Sequence, residues 1–134
     1  MGSGFSGHRL RVVRNCHGFY LTDELESSFG MVDSGSFAEL MASICLDQQW
    51  LMNAAVHFLF ITDFKKLEQY YGPRGYRYAM LHSGRLGERL YLAATAMGLG
   101  CCGIGAFYDT EAAQLLKLKA GSKLLYLVAV GSVK

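Results

Sequence analysis

The sequence predicts an α+β domain, a sheet of antiparallel or mixed strands flanked by helices, one of them unusually long. Three stretches carry that prediction. Residues 74–97 place Tyr78, Leu81, Leu86, Leu90, Ala93, Ala94 and Met97 at helical spacing. Residues 55–61 are an apolar run broken only by His57 and bounded by Asn53 and Thr62-Asp63, the pattern of a buried strand. Residues 123–131, KLLYLVAVG, are a second such run, rich in the Leu, Val and Tyr that suit a pleated surface. No repeat or linker separates these stretches, so they belong to one domain.

In chain order, residues 1–7 (MGSGFSG) are expected to form a flexible N-terminal segment, with the domain running over 8–134. RLRVV alternates polar and apolar residues and reads as a strand, and GFYLTDE reads as a second one. Over 37–45 a helix is predicted, because Phe37, Leu40, Met41 and Ile44 share one face. Ser36 with Glu39 three residues on forms a capping-box pattern at its start. After the strand at 55–61, residues 64–71 suggest a short helix ended by Gly72-Pro73. The long helix follows, closed by Gly98 as a left-handed C-terminal cap. A last helix over 110–118, with Asp109 or Thr110 at its N-cap, precedes the final strand.

Composition narrows the function classes. The chain has 134 residues, 51% of them hydrophobic and 18% charged, enough apolar material for a real core and unlike a disordered segment. A net charge of +2 with no basic run longer than Lys65-Lys66 does not indicate nucleic acid. No apolar stretch reaches the roughly 18 residues of a membrane span, and the first residues lack a signal-peptide core, so a cytoplasmic location is expected. Four cysteines without C-x-x-C spacing suggest reduced thiols rather than disulfides or zinc. A metal corner at His8, Cys16 and His17 lacks a fourth ligand.

GLGCCGIGAFYD, from Gly98, contains G-x-G-x-x-G, the pattern of a dinucleotide-binding turn. That turn needs a strand before it, a helix opening inside it and an acidic residue about 20 positions on. Here a helix precedes it, and counting on from Gly103 lands on Lys123. The glycines instead let backbone amides approach a flat ligand, or simply make a tight helix-to-strand connection.

Four pieces in this order, LDQQWLMNAAVHFLFITD, YGPRGYRYAMLHSGRLGERLYLAATAMGLG, CGIGAFYD and LLYLVAVG, make nearly the whole chain resemble the nitroreductase-like flavoproteins, and within them the SagB-type dehydrogenases. The resemblance implies an FMN-dependent oxidoreductase that passes hydride or electrons between a nicotinamide or organic substrate and an acceptor, with NAD(P)H as a candidate donor and a small molecule or a peptide as substrate. It implies a dimer, homodimer or heterodimer with a related chain, with the long helix at its core. It also implies that the loop matching Cys102, Gly103, Ile104 and Gly105 runs past the isoalloxazine ring and offers amides to its O4/N5 side, stabilising negative charge there. The family's phosphate-gripping Arg/Ser segment and its Pro-Ser-x-Gly segment are expected upstream of the matched region.

Within the long helix the SagB-type Glu-x-Gly-His-x-x-Gln-Asn pattern is replaced by residues 82–89, HSGRLGER, and only Gly84 persists. Arg85 and Arg89, four apart on one helical face, are candidates for a substitute anion site beside the reading of an ordinary surface pair with Glu88. These departures support a second expectation, a non-catalytic member serving as dimer partner or scaffold. Tyr76, Arg77 and Tyr78 match a segment where azoline oxidases carry a Lys-Tyr pair, but no lysine is adjacent here, which favours packing tyrosines. His57 reads as a hydrogen-bonded core or interface histidine, Trp50, Phe58, Phe60 and Tyr126 as core, and Cys101-Cys102 as buried thiols rather than a redox pair.

Overall fold

A computed structural model of the chain describes residues 8–14, 18–23, 28–33 and 37–133. Six strands form one sheet: β1 (His8–Arg14), β2 (Gly18–Asp23), β3 (Ser28–Asp33), β4 (Val56–Asp63), β5 (Leu99–Ile104) and β6 (Ser122–Ser132). Their order is β3-β2-β1-β4-β6-β5, and every neighbouring pair is antiparallel. The antiparallel alternative of the expected sheet is therefore the one adopted. β3 has no counterpart in the sequence reading, because a six-residue segment with Gly30 inside it gives a weak strand signal.

The two apolar runs are the adjacent interior strands β4 and β6, each with a strand on both sides and apolar residues on both faces. On one face, Leu59, Ile61, Leu124, Leu127 and Ala129 form a core with Ile104 of β5. It is covered by Met41, Ala42 and Ile44 of helix α1 (Ala38–Ile44), by Leu51 of a 3-10 turn (Gln49–Asn53), and by Ala112 of helix α4 (Asp109–Leu115). On the other face Phe60 stacks on Tyr126 with ring centroids 5.9 Å apart, and helices α2 (Phe64–Tyr71) and α3 (Gly75–Ala96) lie over them.

Why α3 lies so close to the sheet is legible in its buried residues, Gly75, Ala79, Ser83, Gly87 and Ala94. The first four recur every fourth position, a stripe of small side chains along one side. A Cβ on Gly87 would stand 2.9 Å from Cε1 of Tyr126, so glycine there admits the ring. The helix ends as expected: Gly98 takes φ +70°, a conformation costly for other residues, and its amide donates to the Thr95 carbonyl at 3.1 Å.

Two caps differ from expectation. The N-cap of α4 is Tyr108, without a side-chain hydrogen bond, so neither Asp109 nor Thr110 caps it. The N-cap of α1 is Phe37, likewise without one, while Ser36 lies outside the described residues, as do residues 1–7, Cys16 and His17. Trp50 is not core: it is 46% exposed, its indole N–H donating to Gln48 at 3.2 Å. No helix among the described residues is long and apolar enough to cross a membrane.

Candidate functional site

At one end of the sheet β4 and β5 finish and β6 begins. The register sets His8, Thr62 and Lys123 side by side there. Between Phe60-Ile61 and their partners Tyr126 and Leu124 the pairing shifts, leaving Leu125 as the extra residue of a bulge. Bulges redirect side chains, and Leu125 lines an open groove of about 700 Å³ at this end of the sheet. Its other walls include Phe64 of α2, Tyr76 and Met80 of α3, Gly105, Ala106 and Phe107 beyond β5, and the charged residues Lys123 and Asp109. Phe64 and Tyr76 stack with centroids 5.6 Å apart and planes 24° from parallel, an aromatic wall presented to solvent.

The main chain supplies the donors. Ile104 is the last residue of β5 paired with β6, and the next amide with a partner is that of Tyr108, which donates to the Ile44 carbonyl at 2.8 Å. Between them the amides of Gly105, Ala106 and Phe107 have no partner among the described residues. A Cβ added at Gly105 would meet nothing within 4 Å. Unpaired amides beside an open aromatic wall suit a flat ligand with acceptor atoms on its rim, because stacking and oriented N–H groups act on different parts of it.

Of the four residues expected at the flavin loop, only Gly105 lines this groove. Ile104 is buried in the core, and Cys102 is half-buried with its thiol 3.7 Å from the Gly103 carbonyl. Gly103 faces inward: a Cβ there would collide with the Tyr126 hydroxyl, and its amide donates to the Tyr91 hydroxyl at 2.6 Å. Arg85 and Arg89 are exposed on α3. At about 100° per residue they lie roughly opposite Ser83 and Gly87, the side that faces the sheet, so they do not border the groove.

Tyr76 belongs to the groove wall, whereas Tyr78 sets its ring edge-on to Tyr71, 5.2 Å between centroids. Adjacent positions on a strand point to opposite faces, and the pairings of Cys101 with Val130 and Cys102 with Ala129 follow that alternation, which keeps the two thiols apart. Burial and the neighbouring Cys102 raise the Cys101 thiol, and burial pushes Cys45 up to about 11, so both are protonated near neutrality. No group of three or more possible metal ligands occurs among the described residues.

His57 is fully buried on β4, as expected of a core histidine, but neither ring nitrogen has a hydrogen-bond partner among the described residues. Burial lowers its pKa to about 4, opposed in part by the nearby Leu51 main chain. Phe64, Met80, Lys123 and Tyr91 were not singled out from sequence. Nothing in their spacing marks them, since each reaches its place through the packing of separate elements.

A family model for the nitroreductase family matches residues 10–132. The chain belongs to the nitroreductase family. Within it, the chain is 34% identical over 85 residues to a Methanocaldococcus jannaschii protein described as a candidate nitroreductase, covering 63% of this chain and 43% of that one. A solved structure of a candidate nitroreductase from Anabaena variabilis superposes with a TM-score of 0.90 at 26% identity, over 96% of this chain and 27% of that one. The fold also matches a chain of the E. coli microcin synthetase McbBCD complex with truncated pro-MccB17 bound, with a TM-score of 0.86, 19% identity and coverage of 97% and 53%. This nitroreductase-family chain thus spans from about a quarter to about half the length of these relatives.

Proposed function

We propose that this chain forms the ring-binding part of an FMN-dependent oxidoreductase. The observation that carries the reading is the run of three unpartnered amides at Gly105, Ala106 and Phe107, set in a groove walled by Phe64 and Tyr76. FMN, when bound, supplies a ring that accepts and returns hydride. The groove's own residues supply the rest: the aromatic wall stacks, the amides donate to ring acceptors and favour added negative charge, and Lys123 reinforces that field. Family membership supports the cofactor, and one structural neighbour is an NADPH:FMN oxidoreductase from Vibrio harveyi complexed with NAD+. A nicotinamide or an organic substrate is the proposed hydride donor.

The finer placement, among the SagB-type dehydrogenases, rests on the motif match and is in keeping with the fold likeness to the McbBCD chain. The outer side of α3 carries Leu81 and Leu92, 68% and 64% exposed, among Arg85 and Arg89. This face is proposed to meet a second copy or a related chain, which gives both arginines a role outside the groove.

The test is an absorbance spectrum after incubation with FMN and gel filtration. Near-stoichiometric flavin bands are expected, and Gly105→Leu, which fills the groove without touching the fold, should weaken binding at least tenfold. The second reading, a non-catalytic dimer partner, is favoured by one observation: among the described residues Lys123 is the one cationic side chain lining the groove, while a phosphate dianion calls for several donors. A protein that retains no FMN supports that reading.

A further inference from the structure

β5 is the edge of the sheet, so every second residue on it turns its N–H and C=O away from β6. Gly103 is one of these, because its amide meets Tyr91 rather than β6. Tyr91 reaches it from α3, twelve residues earlier in the chain, and its hydroxyl oxygen accepts the amide at 2.6 Å. A second tyrosine holds the same residue from the face of the sheet. The Tyr126 ring fills the space between Gly87 on α3 and Gly103 on β5, and a side chain on either glycine would displace it. One residue is thereby fixed in two directions, its edge by Tyr91 and its face by Tyr126.

Gly103 is two residues before Gly105, and no hydrogen bond among the described residues intervenes after Ile104 until Tyr108. The path of residues 105–107 is therefore set at its two ends, the Gly103 clamp and the Tyr108 bond to Ile44. We propose that Tyr91 is a positioning residue for the groove: by accepting the Gly103 amide it anchors the end of β5 and fixes where Gly105, Ala106 and Phe107 present their own amides. The identity of the ligand rests on the flavin reading above, but the positioning claim concerns the main chain alone. The Tyr91 hydroxyl also closes the edge against an added strand at this point, since the outward amide is already taken.

Tyr91→Phe removes the acceptor oxygen and keeps the ring, and Tyr78→Phe is the control, an exposed phenol on the same helix whose ring packs on Tyr71. Residue-resolved amide exchange and ¹H–¹⁵N spectra of the full chain without ligand provide the readout. In Tyr91→Phe the Gly103 amide should exchange at least tenfold faster and its proton move upfield as the bond is lost. The amides of Gly105, Ala106 and Phe107 should shift with it, while thermal midpoints of both variants stay within a few degrees of the parent. Unchanged exchange at Gly103 overturns the clamp, and a freed Gly103 with unmoved amides at 105–107 overturns the positioning role. An FMN titration separates the two levels. If the parent takes up no FMN, the flavin reading fails and the spectra still decide the role of Tyr91. If it does, Tyr91→Phe should raise the dissociation constant about three- to tenfold.

Discussion

Gly103 and Gly105 lie two residues apart in the same glycine-rich stretch and have opposite surroundings. A side chain at Gly103 would strike Tyr126, and one at Gly105 would enter open space. The first glycine is required by the protein's own packing; the second is left bare on the wall of a groove. A run of glycines is thus not one signal, since the same residue type serves close packing at one position and access at the next.

The largest expected effect sharpens this contrast from the sealed side. Gly103→Val inserts a branched side chain where the Tyr126 hydroxyl stands and should cost about 3 kcal/mol or more, read from urea unfolding. Stability near that of the parent would mean that Tyr126 can move, and the sealed position would not be sealed.

Next in size is a pH effect on the same interior. The buried His57 has its pKa lowered to about 4 from an ordinary 6.5, so between those values the unfolded chain binds a proton that the folded one refuses. Its contribution is present above about pH 6.5 and is lost as pH falls toward 4, a decline on the order of 3 kcal/mol for a shift of this size. His57→Leu should flatten that part of the stability curve in unfolding measured from pH 7 to pH 4. A slope equal to the parent's would assign the acid sensitivity to other groups.

Gly87→Ala probes the far side of the Tyr126 ring. With Cε1 2.9 Å from the new Cβ, a loss of about 1–2 kcal/mol is expected, since the ring edge must shift by a few tenths of an ångström. At Gly105 the expected stability change is smallest, under about 1 kcal/mol for Gly105→Leu, because the added atoms meet nothing. The same variant should lose FMN retention, and that pairing of intact folding with lost binding is what an open position means. Loss of folding at Gly105, or retained FMN, would break the comparison.

Periodicity carried much of the fold. The helical spacing of 74–97, the caps at Gly72 and Gly98 and the two strands β4 and β6 are local patterns that can be read along a chain. The face of α3 that is buried, however, is the small-residue side of Gly75, Ala79, Ser83 and Gly87, while Tyr78, Leu81 and Met97 of the apolar set are exposed. Trp50 and the hydrogen bonding of the buried His57 differ from expectation for a common reason: residue type indicates an average environment, while exposure of the indole and the partners of the imidazole depend on what packs nearby. β3 escaped notice because its signal lies in pairing with β2 and not in its own six residues.

The motif itself led to the end of β5, and Gly105 lines the groove there; the sequence determined that an amide-bearing, glycine-containing segment would follow a long helix and lead into a short one. Which amides are free was decided in three dimensions. Gly103 and Gly105 carry the same side chain, none, and nothing local distinguishes them. Tyr91 and Tyr126 do so from twelve and twenty-three positions away, by reaching Gly103 and leaving Gly105 bare. Likewise Arg85 and Arg89 share a helical face by spacing alone, but that this face turns away from the groove follows from which side of α3 the sheet accepts, the side of Gly75, Ala79, Ser83 and Gly87. Spacing fixes which residues lie together on one element, and only the docking of elements decides what that face meets.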